Sequence, residues 1–411
     1  MGNKLKIFVS AYACEPNSGS EIGVGWHWIL EMSKYYDLWV LTRLSNKQNI
    51  ENWVVDNKYL NNVRFIYYDL PLLMRFWKKG MRGVRFYYIL WQYFSNRLVK
   101  CTMQVNDIKI YHLLTYGNAL WPASKYGQKQ FFIWGPTGGL DTIASEYSKY
   151  YDLKGRLIEF FRRLIVKTLP VNYGFNRRCK NADLILCKTG FTKKRIPRKY
   201  QDKSIVFTDV AVDQDIRKSL FQTNDMDITN YLTVGKLDAW RGFDLIIEAF
   251  ELAILKNKRI NLTIVGDGQD WNRLKKLIYS KGLSNHIRMT GKVTMKEYQQ
   301  YMNETNVVIN AALKEGAVTT SFDAMALGKP LICIDTQGYT RAFTNDYSII
   351  IPQQKRKNII KLLRDAILKL TDQKIRKELS ETALNNSENF SWENKGKEVY
   401  NLFEEWYQRS I

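Results

Sequence analysis

Two carboxylates stand eight positions apart in the run "LKEGAVTTSFDAMALGKPLICID", residues 313–335. Glu315 lies in a short polar turn, and Asp323 is carried by a stretch with the pattern of a helix. Each alone has a simple explanation. Glu315 would be a favourable charge at a helix N-terminus, and Asp323 a solvated helix position. A helix start needs only the first of them, so their pairing before a buried-looking strand is the first sign of a binding site.

Other groups capable of chemistry follow neighbouring strands. Lys236 and Arg241 stand five residues apart after "YLTVG", and the helix starting near Val318 offers unpaired N–H groups. Two cations and a helix N-terminus form a site for a diphosphate. Taken singly, the cations fit surface charges and the turn after "INLTIV" fits a plain turn, so the arrangement carries the prediction. The remaining candidates at these strand ends are Gly266, Asp267, Gly268, Thr319 and Thr320.

The elements that must position these groups show a regular alternation. In the second half, short β-branched runs alternate with amphipathic stretches of roughly 10–15 residues, which predicts parallel strands with crossover helices. The first half alternates in the same way, from "KIFVSAY" to "ADLILCKT". In doubly wound sheets, ligands bind outside the carboxyl ends of the strands. We expect a basic α/β domain at 1–208 and a second α/β domain at 209–390 that carries these candidate groups. A C-terminal helix at 391–411 has no assigned domain, and one option is that it crosses back to the first.

Composition and charge limit the class of protein. The 411 residues, 45% of them hydrophobic, are enough for two cores. The net charge is +22: residues 1–208 hold 33 Lys and Arg against 14 Asp and Glu, and residues 209–411 hold 29 against 26. The first half therefore faces something anionic. The N-terminus has the pattern of a first strand rather than a signal peptide. Five scattered cysteines indicate free thiols in a reducing cytosol, and three distant histidines disfavour a metal cage.

Several of these segments resemble a known family. "VGKLDAWRG", "LTIVGDG" and "KEGAVTTSFDAMALGKPLI" resemble the donor-binding half of the family 4 (GT4) glycosyltransferases. "ACEPNSGSEIGVGW", "YHLLTYGN" and "FIWGPTGGLD" resemble one branch of that family, which begins with an "ACEP" strand, loop and helix. The resemblance implies the α/β GT-B architecture, in which two Rossmann-like parallel-sheet domains face each other across a cleft. It also implies that residues 1–208 form the acceptor-side domain and residues 209–390 the nucleotide-sugar-binding domain, with retaining sugar transfer from a UDP- or GDP-sugar and no obligatory cofactor. No D-x-D motif stands in a suitable place, so we expect no obligatory metal.

The same resemblance assigns roles to the paired carboxylates. Glu315 would lie by the transferred sugar, and Asp323 would hold the ribose hydroxyls, since a carboxylate can accept two hydrogen bonds from a vicinal diol. This chain departs from the family pattern at two points. Asp323 is one methylene shorter than the usual glutamate, and the two loop cations Lys236 and Arg241 stand in exchanged order.

Further site residues are implied by the resemblance alone. Gly19, Ser20 and Gly23 would face phosphate and sugar at the cleft, although Ser18 and Glu21 also fit a helix capping box. Val293 in "GKV" would line the donor site. Relatives carry a histidine near the reacting sugar, and the matching strand "FFIWGPTGG" has none. His112 is the candidate for a catalytic histidine here, and a core or loop histidine fits equally well.

Basic and aromatic residues are interleaved in the first half. Residues 70–106 contain no carboxylate, and "YDLKGRLIEFFRRLIVKTLP" has the pattern of an amphipathic helix. Its apolar face would hold Leu157, Phe161 and Leu164, and its edge Arg156, Arg163 and Lys167. Such a combination fits an anionic membrane surface. The alternative is a helix that packs its apolar face into its own domain. The sequence has no nucleic-acid recognition motif, so we expect no nucleic-acid partner.

The sequence therefore predicts a peripheral enzyme on the inner face of the cytoplasmic membrane. We expect a retaining glycosyltransferase that acts on a lipid-linked or oligosaccharide acceptor in cell-surface polysaccharide synthesis. Two alternatives remain open at this point. One is a non-catalytic nucleotide-sugar-binding assembly or sensor protein of the same fold. The other is a sugar-nucleotide epimerase, which would release a free product and need no basic surface.

Overall fold

A computed structural model describes residues 4–57, 60–78, 83–121, 130–213, 227–314, 316, 318–338 and 342–411. The chain divides into two compact units. The first unit comprises Met1–Leu140, Lys167–Asp209 and Trp392–Ile411. The second comprises Asp141–Val166 and Val210–Ser391. Each unit is built around one parallel sheet with helices packed on it.

The described strands and helices are numbered along the chain. The strands are β1 (Lys6–Ser10), β2 (Asp37–Arg43), β3 (Val63–Tyr68), β4 (Ile110–Leu113), β5 (Phe131–Thr137), β6 (Leu184–Cys187), β7 (Ser204–Val206), β8 (Thr229–Val234), β9 (Ile260–Val265), β10 (Ile287–Gly291), β11 (Val307–Asn310), β12 (Leu331–Ile334) and β13 (Ser348–Ile351). The helices are α1 (Ser20–Ser33), α2 (Lys47–Asp56), α3 (Val84–Phe94), α4 (Asn96–Val105), α5 (Ser145–Ser148), α6 (Leu153–Thr168), α7 (Tyr173–Asn181), α8 (Gly190–Arg195), α9 (Phe243–Ile254), α10 (Trp271–Ser280), α11 (Met295–Glu304), α12 (Thr319–Ala326), α13 (Arg356–Lys369), α14 (Gln373–Ser387) and α15 (Trp392–Gln408).

Both sheets have doubly wound topology. The strand order is β3-β2-β1-β4-β5-β6-β7 in the first unit and β10-β9-β8-β11-β12-β13 in the second, and all neighbouring strands run parallel. Central strands such as β4, β6 and β12 are buried along their whole length, as expected for sheets with helices on both faces. The predicted architecture of two Rossmann-like parallel-sheet domains is therefore confirmed.

Three strands did not emerge from the sequence pattern: β3, β7 and β13. All three lie at the edge of their sheet. Edge strands are short or partly exposed, as in the half-exposed run of β3, and so lack the continuous apolar signal of central strands. The partial exposure of these three strands explains why periodicity alone did not find them.

Residues 141–166 belong to the second unit, although they follow β5 of the first in sequence. The sequence pattern predicts one domain for residues 1–208, which include this segment, so the place of the segment in the second unit differs from that prediction. Arg356 joins this segment to the rest of the second unit. Its guanidinium lies 4.0 Å from the ring centre of Tyr150 in the segment, and it donates hydrogen bonds to Asp244 and Glu248 at 2.9 and 2.7 Å. A buried ion pair between Lys314 and Glu159 is a second contact of this kind. These contacts span more than a hundred residues, so local sequence gives no sign of them.

The C-terminal helix α15 packs on the first unit. The ring of Tyr400 stacks on Tyr35 at 4.7 Å, and Phe403 contacts the ring of His112 edge-on at 5.2 Å. Lys395 donates to the carbonyl of Thr208. The chain thus returns at its end to the unit in which it began.

Candidate functional site

A cavity of about 380 Å³ opens at the carboxyl ends of β8, β9 and β10 in the second unit. In this sheet the chain winds outward in both directions from β8, so the cavity borders the point where the strand order reverses. Ligands of doubly wound sheets bind at this position. The described residues that line the cavity are Val234, Gly235, Lys236, Val265, Gly266, Asp267, Lys292, Val293, Thr294, Met295 and Tyr298.

The turn after β9 packs tightly against the loop after β8. Gly266 has φ +140°, and a Cβ at this position would lie only 1.9 Å from the carbonyl oxygen of Gly235. The Leu237 amide donates to the Asp267 carbonyl at 3.0 Å. The glycine therefore has a packing role, and Gly266 and Asp267 also line the cavity. Gly268 packs on the Leu237 backbone in the same way and is not part of the described lining.

Two cations flank the end of β8. Lys236 lines the cavity, with its side chain 62% exposed and Nζ 3.4 Å from Asp238 Oδ1. Arg241 is half-buried and stacks over Trp240, with Cζ 4.7 Å from the ring centre. A Cβ on Gly235 would lie 3.2 Å from Nη1 of Arg241, so the guanidinium sits beside the strand end. This arrangement can hold a group with two negative charges.

Lys292 adds a third positive side chain to the lining. It follows β10 in the segment that supplies Val293, which the resemblance had placed here. Lys292 was not predicted as a site residue, although it follows a strand directly and so carries the same kind of signal as Lys236. Val293 itself lines the cavity as predicted for a donor-site residue, and its contact with a ligand stays a prediction.

Helix α12 begins at Thr319, next to the predicted start near Val318, and no side chain of the described residues caps it. Its first turn therefore offers backbone N–H groups, as expected for an anion-binding terminus. Thr320, in the first turn of α12, lies beside Tyr298 of the cavity lining. Glu315, the first of the paired carboxylates, lies outside the described residues.

Asp323 lies in α12 and is 3% exposed. Its Oδ2 accepts a hydrogen bond from the hydroxyl of Tyr298 at 2.6 Å, and its buried Oδ1 has no hydrogen-bond partner among the described residues. Burial raises the pKa of Asp323 to about 7, while the bond from Tyr298 opposes the rise. The solvated position considered for Asp323 is therefore wrong. Tyr298 itself was missed, because nothing in "KEYQQY" separates it from an ordinary helix residue.

The predicted residues of the first unit lie at the start of α1. Gly19 is the N-cap of this helix and no side chain caps it, so the capping box of Ser18 and Glu21 is wrong. Glu21 instead accepts a hydrogen bond from the Tyr116 amide at 2.8 Å. A Cβ on Gly23 would lie 1.8 Å from the Ser18 carbonyl oxygen, which gives this glycine a packing role. The ligand contacts assigned to Gly19, Ser20 and Gly23 stay predictions.

His112 lies in β4 and is fully buried. Its Nε2 is 2.7 Å from the Gly135 carbonyl oxygen, and its ring lies 5.7 Å from Trp28 and 5.2 Å from Phe403. Burial lowers the pKa of His112 to about 4, so it is neutral near pH 7. This is the environment of a core histidine, and a role in catalysis stays a prediction.

Parts of the chain match known proteins. Residues 215–386 match the family described as "Glycosyl transferases group 1". An uncharacterised glycosyltransferase of Methanocaldococcus jannaschii, MJ1178, is 25% identical over 244 residues, which cover 59% of this chain and 65% of that protein. The chain thus aligns with less than two thirds of this relative's length.

Solved structures match the chain over nearly all of its length. Sucrose-phosphate synthase from Thermosynechococcus elongatus has a TM-score of 0.66 at 15% identity and covers 99% of this chain and 100% of its own. Anabaena Alr3699/HepE in complex with UDP and glucose has a TM-score of 0.60 at 14% identity and covers 98% and 100%. The chain therefore has the GT-B fold, and its C-terminal half matches the glycosyl transferases group 1 family.

Proposed function

We propose that this protein transfers a sugar from a nucleoside-diphosphate sugar to a glycan acceptor. The observation that carries the proposal is the cavity at the ends of β8, β9 and β10, flanked by Lys236 and Arg241. The match of residues 215–386 to a glycosyltransferase family supports it. The protein of similar fold solved with UDP and glucose supports a UDP-sugar as the donor class, and a GDP-sugar fits the same cations.

The chemistry would depend on the charge that develops as the sugar leaves. The leaving diphosphate gains negative charge, and preorganised cations and helix N–H groups stabilise such charge in a partly dry site. Lys236, Arg241 and the start of α12 would supply this stabilisation. Glu315 would face the transferred sugar. We propose retention at the anomeric carbon, with the leaving diphosphate taking the proton of the acceptor hydroxyl as the new bond forms on the same face.

The binding test compares nucleoside diphosphates with nucleosides. Lys236→Ala and Arg241→Ala should each weaken UDP or GDP binding by about 1.5–3 kcal/mol, the usual range for a charge-assisted hydrogen bond. Uridine and guanosine should bind equally to the variants and the parent, because neither carries phosphate. Isothermal titration calorimetry measures both.

Lys276→Ala is the matched control, since Lys276 is an exposed lysine of α10 outside the cavity lining. It should leave UDP affinity unchanged. If both Lys236→Ala and Arg241→Ala keep the parent affinity for UDP and GDP, the diphosphate does not bind at the loop after β8.

We further propose a membrane-bound, lipid-linked acceptor used in cell-surface polysaccharide synthesis, with the protein on the inner face of the cytoplasmic membrane. None of the helices in the described part of the chain is long and apolar enough to span a membrane. Helix α6 offers a surface contact instead. Its large apolar side chains are exposed, while the charged Glu159 is buried, which inverts the usual arrangement. The exposed members are Leu153, Leu157, Ile158, Phe160, Phe161, Leu164 and Ile165.

Exposed cations lie among these apolar residues. Lys154 and Lys167 are exposed on α6, which fits an anionic lipid surface. Within the first unit, Phe76, Phe86 and Phe94 are exposed on the carboxylate-free stretch and stand near several arginines and lysines in sequence. Tyr87, Tyr88 and Trp91 of the same stretch are core residues, so only part of the aromatic run is available to a partner.

A further inference from the structure

Tyr298 and Asp323 form a linked pair at the wall of the cavity. Tyr298 comes from α11 and lines the cavity, whereas Asp323 comes from α12 and is not part of the described lining. The two meet through a hydrogen bond of 2.6 Å from the phenol to the carboxylate. The short aspartate side chain is 3% exposed, so the tyrosine is the member of the pair that a ligand in the cavity meets.

The hydrogen bond that Tyr298 donates fixes what its oxygen can offer to a ligand. A phenol has one proton to donate and can also accept. Here the proton goes to Asp323 Oδ2. The remaining capacity of the oxygen is that of an acceptor, which suits a hydroxyl group of a ligand and disfavours a carbonyl. In a cavity for a nucleoside diphosphate, the ribose supplies such hydroxyls.

We propose that Tyr298 accepts a hydrogen bond from a ribose hydroxyl of the nucleotide, and that Asp323 acts as a positioning residue for the phenol. This inference rests on the proposed function, since it assumes that the cavity holds the nucleotide. It replaces the direct contact between Asp323 and the ribose that the family resemblance implied. The buried Oδ1 of Asp323 then need not reach the ligand.

The test measures ribose discrimination, defined as the dissociation constant of the 2′,3′-dideoxy nucleotide divided by that of the ribonucleotide. UDP and GDP, each with its dideoxy form, are titrated into the parent, Tyr298→Phe, Asp323→Asn and the double variant. Tyr301→Phe is the matched control, because Tyr301 lies on the same helix outside the cavity lining. Circular dichroism and thermal melting check that each variant is folded.

In the parent, removal of the ribose hydroxyls should weaken binding about 10-fold, the size of one well-placed hydrogen bond. Tyr298→Phe should weaken ribonucleotide binding about 10-fold, leave dideoxynucleotide binding unchanged, and bring discrimination near one. Tyr301→Phe should behave as the parent does. Asp323→Asn should reduce ribose discrimination when it is the only substitution. The double variant should discriminate no less than Tyr298→Phe alone.

Two results would overturn the inference alone: a Tyr298→Phe variant that discriminates as the parent does, or a further loss of discrimination when Asp323→Asn is added to it. The second result would show that Asp323 contacts the ribose directly. If Asp323→Asn does not fold, Tyr298→Phe decides by itself, since it removes a single oxygen atom. A parent that binds neither UDP nor GDP would overturn the proposed function and this inference with it.

Discussion

Lys236 and Arg241 are held by the protein to different degrees, and this decides how each can act on an anion. Lys236 is an exposed point charge whose interaction with a ligand is weakened by solvent. Arg241 is half-buried, and its planar guanidinium is oriented by the Trp240 ring. A preoriented guanidinium can bind a phosphate through two parallel hydrogen bonds. We therefore expect Arg241→Ala to lose more UDP or GDP binding free energy than Lys236→Ala does, within the range predicted above.

Glu315 is predicted to act on the transferred sugar rather than on the nucleotide. Glu315→Gln keeps the size of the side chain and removes its charge. It should lower kcat about 100-fold or more, a loss of roughly 3 kcal/mol of transition-state stabilisation, with little change in the affinity for UDP or GDP. Steady-state kinetics and calorimetry measure the two effects separately. A variant that loses nucleotide affinity but keeps kcat would contradict this role.

His112 should make the stability of the protein depend on pH. The unfolded chain binds a proton at this group with a pKa near 6.5, whereas the folded protein does so with a pKa of about 4. The unfolded state therefore binds more protons between these values, and the free energy of unfolding falls as the pH drops through this range. From pH 7.5 to 5, this group alone should lower it by about 2 kcal/mol.

His112→Gln removes that titration. Urea unfolding at pH 7.5 and pH 5 should show a smaller acid-induced loss of stability in the variant than in the parent. The same loss in both proteins would rule out the buried neutral state. A folded variant with a large drop in kcat would favour a role for His112 in the reaction instead of a purely structural one.

Cavity residues could be predicted from the sequence when they stand just after a strand. Lys236, Gly266 and Asp267 follow directly after strands, and parallel strand ends converge at one edge of a sheet. Tyr298 was not predictable in this way, because it lies within a helix rather than directly after a strand. The burial of Asp323 was equally hidden, since it depends on how α11 and α12 pack.

Helix α6 is the element whose surface is hardest to explain without a partner. It buries Glu159 against Lys314 and exposes a row of large apolar side chains. Each of these side chains would contribute about 1.5–3 kcal/mol if fully buried at an interface. Arg156 and Arg163 are not free for such a partner. Their guanidinium groups donate to the backbone carbonyls of Tyr151 and Ile143.

Binding of α6 to lipid can be measured by sedimentation with anionic liposomes. We expect binding that weakens with salt but does not vanish, because salt screens charge and leaves apolar burial unaffected. The double variant Phe160→Ser/Phe161→Ser should lose most of the salt-resistant part, since these side chains are 56% and 55% exposed. Lys154→Gln/Lys167→Gln should lose most of the salt-sensitive part.

Leu255→Ser is the matched control, since Leu255 is 79% exposed on the same unit and lies just after α9. It should sediment as the parent does. If the Phe160→Ser/Phe161→Ser variant also sediments like the parent, α6 does not bind the membrane. Binding would then have to come from residues 70–106, or be absent.

The assignment of α6 shows what local patterns leave out. Its amphipathic character was readable from the spacing of Leu157, Phe161 and Leu164, and the structure has a helix there. Its membership of the second unit was not readable, because contacts such as Glu159 with Lys314 join residues 155 positions apart. The strands β3, β7 and β13 were missed for a related reason. Their stability comes from a neighbouring strand rather than from their own apolar content.

Charge is distributed unevenly over the molecule as a whole. The first unit holds 31 Lys and Arg against 15 Asp and Glu, a balance of +16, and the second holds 31 against 25, a balance of +6. The basic excess predicted for the first half thus persists when the units are defined by the structure. The cavity at the ends of β8, β9 and β10 lies in the less basic unit. An anionic acceptor or surface, as we propose, would account for the basic excess of the first unit.

The most direct test of the central claim is turnover with a defined panel of donors. Purified protein is incubated with UDP-, GDP- and dTDP-sugars, and released nucleoside diphosphate is measured with and without a lipid-linked oligosaccharide acceptor. We predict release from one donor class that rises strongly with acceptor, a glycosylated product, and loss of both in Arg241→Ala. Nucleotide binding without release would indicate a non-catalytic sensor. Conversion of the donor to an epimer without any acceptor would indicate an epimerase, and either result would contradict the proposed glycosyl transfer.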